Sequence, residues 1–237
     1  MKSSVRILVV GCLGLAACWA QAQPMAMQPV PQNLVQLTAS ATVEVPQDWL
    51  TLTLGTTREG SDAEAVQQQL KQALDAALVQ ARARAQPGRL DVRTGNFQLS
   101  PRYNREGRIT GWQGSTALVL EGRDFGRIAA LAGAIQTLTI GGVQFSLSRE
   151  EHNRVEADVQ SAAIERFKAK AGEIAKGFGF SGYGLREVSV NAQDQEFAPQ
   201  PRVLAMQAKA VSADAPVPLE AGKSTVMVIV SGSVQLK

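Results

Sequence analysis

Residues 34 to 45 alternate without a break. Val35, Leu37, Ala39, Ala41, Val43 and Val45 share one side, and Gln36, Thr38, Ser40, Thr42 and Glu44 the other. A period of two with one apolar side marks a strand that buries one face. Pro46-Gln47-Asp48 interrupts it, then Leu50, Leu52 and Leu54 resume the period against Thr51 and Thr53, which predicts a hairpin of two adjacent strands. The period then lengthens. Ser61 with Glu64 three residues on has the form of a capping box, and Val66, Leu70, Ala73, Leu74, Ala77, Leu78 and Ala81 follow at helical spacing until Pro87-Gly88.

Two strands are predicted over 90–103 and 109–122, joined by the turn Asn104-Arg105-Glu106-Gly107. A short helix over 124–134 opens on Asp124, and Val143, Phe145 and Leu147 mark a further alternating strand. A long helix over 150–178 places Val155, Val159, Ala163, Phe167 and Ile174 on its inner stripe and stops at Gly177 and Gly179. A strand over 184–192 follows. From 194 to 222 the pattern fails around Pro199, Pro201, Pro216 and Pro218, and a loop this long is uncommon without a role or disorder. Thr225 to Val230 is apolar enough for a strand buried on both faces, which ties the C-terminus into a sheet. The order β-β-α-β-β-α-β-α-β-loop-β predicts an α+β fold, largely antiparallel, with helices packed against the sheet.

The first 22 residues add a compartment. Lys2 and Arg6, an apolar run from Ile7 to Ala17 and the small-residue site Ala20-Gln21-Ala22 form an export signal cleaved after Ala22. Residues 23–33 then read as a flexible segment and 34–237 as one domain in the periplasm. Leu15-Ala16-Ala17-Cys18 also fits a lipobox, in which a diacylated Cys18 would hold the same domain at the outer membrane. The apolar run is short of the roughly 20 residues a spanning helix needs. About 215 residues remain after cleavage, enough for one sizeable core or two small lobes.

Losing the leader also changes the charge balance. The chain has 24 Lys+Arg against 21 Asp+Glu, and without Lys2 and Arg6 the count is 22 against 21. The cations are interspersed with acids, so a nucleic-acid partner is not expected. Both cysteines, Cys12 and Cys18, leave with the leader, so the mature chain has no thiol. The one histidine, His152, follows Glu150-Glu151 at a helix start, where a solvated or capping role is the ordinary one, and no nucleophile elbow surrounds any serine. Asp62, Glu64, Glu150 and Glu151 are helix-start acids favoured by the dipole. Gly177, Gly179 and Gly182 follow a helix, where a dinucleotide loop must follow a strand. No catalytic residue, cofactor or metal site is assigned. Among the aromatics, Phe97 with Leu99 fits a core face, while Tyr103 and Trp112 near the connecting turn are the candidate interaction residues.

Thr94-Gly95-Asn96-Phe97-Gln98-Leu99-Ser100-Pro101-Arg102-Tyr103, Gly111-Trp112, Thr116 to Leu120 and Arg123-Asp124-Phe125 together resemble the central signature of the SIMPL-domain family of bacterial envelope proteins. Gly142-Val143-Gln144-Phe145-Ser146-Leu147-Ser148, Lys168-Ala169-Lys170-Ala171 and Val217-Pro218-Leu219-Glu220-Ala221-Gly222 extend the likeness to about residues 34–236. Typical members carry glycines where this chain has Ala39 and Ala41, and a Pro-Asp pair where it has Pro46-Gln47-Asp48. The resemblance implies a periplasmic α+β protein. Some relatives form ring- or barrel-like homo-oligomers, and others are linked to oxidative-stress defence. It transfers no catalytic residue. The expected role is therefore a non-enzymatic, self-assembling envelope protein, with a binding module for an envelope partner that uses the 194–222 loop as the alternative.

Overall fold

The alternating segments all form strands, and they are sorted into two antiparallel sheets. The computed structural model describes residues 32–195 and 220–237. In chain order the elements are β1 (Leu34–Pro46), β2 (Trp49–Gly60), α1 (Ala63–Arg82), β3 (Asp91–Tyr103), β4 (Ile109–Gly122), α2 (Phe125–Ala134), β5 (Thr139–Ser146), α3 (Arg149–Gly177), β6 (Tyr183–Gln195) and β7 (Lys223–Leu236). A three-stranded sheet has the order β1-β7-β6 and a four-stranded sheet the order β3-β4-β2-β5. The fold is α+β, as the order of elements predicts.

Each sheet has its own apolar core. Leu50, Leu52 and Leu54 of β2 and Leu118 and Leu120 of β4 pack under α1 and α2, against Leu74, Ala77, Ile128 and Leu131. Leu37 and Ala41 of β1 and Val226, Val228, Val230 and Val234 of β7 pack under α3, against Val155, Val159, Ala163, Phe167, Ala171 and Ala175. All the strands from Trp49 to Ser146 belong to the four-stranded layer. This stretch is therefore inserted between β1 and the two strands, β6 and β7, that complete the first sheet.

The hairpin expected of β1 and β2 does not form. β1 pairs with β7, from Leu34↔Gln235 to Pro46↔Lys223, and β2 pairs with β4 and β5. The interruption at residues 46–48 is a crossover between layers. Its geometry is held by Gln47, whose amide donates to the Phe145 carbonyl at 3.2 Å and to Ser224 Oγ at 3.1 Å and accepts from Gly222 N–H at 3.1 Å. Two-residue hairpins need a turn that hydrogen-bonds within itself. Here the polar groups of the break bond to two remote segments instead, the end of β5 and the start of β7.

Smaller differences have local causes. The cap of α1 is Asp62, one residue beyond Ser61, because its carboxylate accepts from Ala65 N–H at 2.8 Å. Asp124 caps α2 as expected, accepting from Arg127 N–H at 3.0 Å. α3 stops where Gly179 takes φ +81, with its N–H on the Lys176 carbonyl and Phe180 N–H on the Ala175 carbonyl. β6 continues to Gln195 and so takes Asp194 and Gln195 from the 194–222 segment, while β7 begins at Lys223, directly after it. β7 is buried on the α3 side only, while Met227 and Ile229 on the reverse are half-buried.

Candidate functional site

The β3–β4 hairpin carries the two residues singled out for interaction. Its turn forms because Asn104 Oδ1 accepts from the N–H groups of Glu106 and Arg108, at 3.1 and 2.9 Å, while Gly107 sits at φ +75. β2 ends at Gly60, opposite Trp112. Beyond that pair the hairpin continues as a two-stranded ribbon with no third strand beside it.

Two bulges decide which side chains share a face on this ribbon. One extra residue falls on β3 between Thr94 and Phe97, and another on β4, where Thr110 lacks a partner between the pairs Arg102↔Gly111 and Tyr103↔Ile109. Tyr103 therefore keeps the alternation of Phe97, Leu99 and Pro101, and Trp112 lies opposite Pro101 on the same face. That face is the one α1 covers further along, since Leu70 and Leu99 both lie over Gly114. Tyr103 is 61% exposed and Ile109 54%, whereas Trp112 is half-buried. Phe97, expected in the core with Leu99, is instead 42% exposed, because β3 is an edge strand. An apolar face with aromatic members and the flanking cations Arg102, Arg105 and Arg108 has the composition of a protein contact surface.

A second constellation joins residues that are remote in sequence. Ser148, the cap of α3 and 4% exposed, donates its N–H to Asp48 Oδ1 at 2.6 Å and its hydroxyl to Asp48 Oδ2 at 2.7 Å. The same hydroxyl oxygen accepts from Glu151 N–H at 3.3 Å and from the Arg123 guanidinium at 2.9 Å. Arg123 also reaches Asp48 at 3.3 Å and Glu150 at 2.9 Å. One donor and two acceptor sites exhaust what a hydroxyl offers. Ser148 is thus a structural tether. It binds the β1–β2 crossover to the β5–α3 crossover, and Arg123 adds the β4–α2 connection. A groove of about 560 Å³ opens beside it, with Trp49, Gly88 and Arg149 on its walls.

Charge at the helix starts follows the same geometry. The Asp124 carboxyl is held below the usual carboxylate range, first by the Arg127 backbone N–H and then by the Arg127 side chain. The Glu151 carboxyl is lowered chiefly by its hydrogen bond from Arg154. For a depressed carboxyl the stabilisation is fully present above its unfolded pKa and is lost as pH falls through the folded one. The melting temperature is therefore expected to fall on acidification below about pH 4, and Asp124→Asn to flatten that acid limb. Thermal melts across the acid range check this; an unchanged limb in the variant contradicts it.

The remaining sequence candidates are placed as follows. His152 lies in the first turn of α3, its Nδ1 3.7 Å from Glu156 Oε2 and its backbone N–H on the Ser148 carbonyl. Glu150 and Glu151 are in that first turn and Glu64 in the first turn of α1. Cys18 and residues 196–219 of the long loop lie outside the described residues. Among the described residues no group of three or more His, Cys, Asp or Glu is placed to hold a metal ion, and no helix is long and apolar enough to cross a membrane. The tether of Asp48, Arg123 and Ser148 was not anticipated. The available signal was Ser148 three residues before Glu151, a second capping pattern.

Comparison with known proteins gives three findings. The family model SIMPL, described as protein of unknown function (DUF541), matches residues 35–234. No curated protein matches. Among solved structures the chain is similar to the crystal structure of AtUAH in complex with glyoxylate at 11% identity and a TM-score of 0.24, over 55% of this chain and 34% of that one. The chain thus spans about a third of that protein's length, and a likeness at this score carries no argument.

Proposed function

The chain belongs to the SIMPL family of proteins of unknown function, and from that premise we propose that it is an exported envelope protein that works by association with copies of itself. Its role is in envelope maintenance or oxidative-stress defence. The observation that carries the association is the exposed ribbon face of Tyr103 and Ile109 beyond the end of β2. A two-stranded ribbon is marginal in water by itself, and one that displays a Tyr–Ile cross-strand pair gains burial on meeting a partner. The export leader supports the compartment, and the full use of the Ser148 hydroxyl in holding the crossovers supports a role outside catalysis.

Light scattering on the mature chain in gel filtration tests the association. An oligomer is expected at micromolar concentration, and Tyr103→Arg with Ile109→Arg is expected to shift it to smaller species without changing the circular dichroism spectrum. A wild-type monomer removes the association. The mass of the purified N-terminus tests export: a chain starting at Gln23, or a diacylated Cys18, is expected, and an intact leader contradicts it.

A further inference from the structure

One helix serves the three-stranded sheet, and it leaves part of that sheet bare. The core under α3 takes its buried residues from β1, β7 and the helix itself, and none from β6. Leu185, Val188 and Val190 of β6 pair with Val234, Gly232 and Val230, so they lie on the same face as the buried valines of β7. They are nevertheless 56%, 44% and 41% exposed. The four-stranded sheet, by contrast, has two helices over its apolar face. α3 walls one side of the bare strip. Tyr183 Oη donates to the Lys168 carbonyl at 3.2 Å, and its ring is what a Cβ at Gly172 would meet, so the flank of Ile164, Lys168 and Gly172 is turned toward β6. The other side is open, because β6 is an edge strand.

The course of the chain says what can cover this strip. Residues 196–219 link β6 to β7. Gln195 pairs with Thr225, so the segment leaves and returns at one end of that strand pair, the end nearer Val190 than Leu185. Leu185 lies about 30 Å back along the strand from Gln195, and half of the segment, extended at about 3.3 Å per residue, reaches about 40 Å. It can run the length of the strip and come back. Between Val203 and Val211 it carries Val203, Leu204, Met206 and Val211 with one charge, Lys209. Such side chains gain by leaving water for an apolar face. The tether also holds them beside β6 at an effective concentration of about millimolar, which a partner free in solution at micromolar levels does not match. The ribbon of a second copy is a poor match in charge, since Lys168 and Lys176 border the strip and Arg102, Arg105 and Arg108 flank Tyr103 and Ile109.

We propose that residues 203–211 of this chain dock on the β6 face beside α3 and cover Leu185, Val188 and Val190. The long segment between β6 and β7 is then part of the packing of the three-stranded sheet, and this apolar face is kept out of association.

The test uses the mature chain, beginning at Gln23, in which a single introduced cysteine is the only thiol. Val188→Cys and Val190→Cys are prepared separately, each with the native segment and with Val203→Ser, Leu204→Ser, Met206→Ser and Val211→Ser combined. Both positions are part-exposed, so the fold is expected to tolerate the cysteine, which melting curves verify. Labelling by a water-soluble maleimide is expected to be about tenfold slower with the native segment than with the serine segment, at every protein concentration. Val79→Cys, on α1 and 72% exposed, is expected to label equally in both. Equal rates at 188 and 190 in the two backgrounds overturn the proposal, as does a slowing that Val79→Cys shares. Protection that grows with protein concentration also overturns it and gives the face to a second copy.

Discussion

Phe167→Ala is expected to destabilise the protein by about 3–5 kcal/mol and to lower its melting temperature by roughly 10 °C. Phe167 is 2% exposed in the middle of the α3 row and faces a sheet of valines. Its neighbours along the row are Ala163 and Ala171, too small to collapse into the space, and the branched Cβ restricts the rotamers of the facing valines. The cavity would stay. Because the core under α3 shares no residue with the core under α1 and α2, the loss is expected to be local. Hydrogen exchange should accelerate in α3, β1, β6 and β7 while the amides of β2 and β4 stay protected. Equal acceleration in both sheets would show that the two cores melt as one.

The second large effect is expected at the tether. Asp48→Ala removes both acceptors of Ser148, leaving a buried N–H and hydroxyl without that partner, and takes away one of the carboxylates facing Arg123. An orphaned buried donor costs about 1–3 kcal/mol, so a loss of roughly 2–4 kcal/mol is expected although Asp48 itself is one-third accessible. Ser148→Ala alone should cost about 1–2 kcal/mol as a lost helix cap. The two losses should fall short of adding by about 1 kcal/mol or more, the signature of a shared interaction. Denaturant unfolding of wild type, both single variants and the double variant measures it. Strict additivity would mean that the crossovers are held by something other than this contact.

Much of the fold was legible because alternation and helical spacing are local. The limits of β3 and β4, the cap Asp124 and the inner row of α3 follow from a few neighbouring residues each. Strand partners do not. Val45 and Leu50 differ in parity, so the buried side of the chain switches from odd to even positions across Gln47-Asp48, but that switch is equally consistent with a turn. Only β7, at the far end of the chain, settles it as a crossover. The candidate surface was half legible. Tyr103 and Trp112 stood out beside the turn, whereas their common face depends on bulges at Thr94/Phe97 and Arg102/Tyr103 that leave no periodic trace. The tether was hidden for the same reason as the partners, since residues 48, 123 and 148 meet only when three connections converge.

The insertion of residues 49–146 into the smaller sheet also orders events in time. β1 is synthesised first and completed last, because its partner lies about 200 residues downstream, at Leu34↔Gln235. The inserted layer closes its contacts early, while β1, with Glu44 as its one charge, waits as an unpaired strand until β7 arrives. The ends then meet, with Leu236 N–H on the Asn33 carbonyl at 2.9 Å. Joining those ends and opening the chain at Gly107 would keep every strand pair but turn the slowest pairing into a neighbouring one. A permutant of that kind should refold faster than the natural order at nearly the same stability.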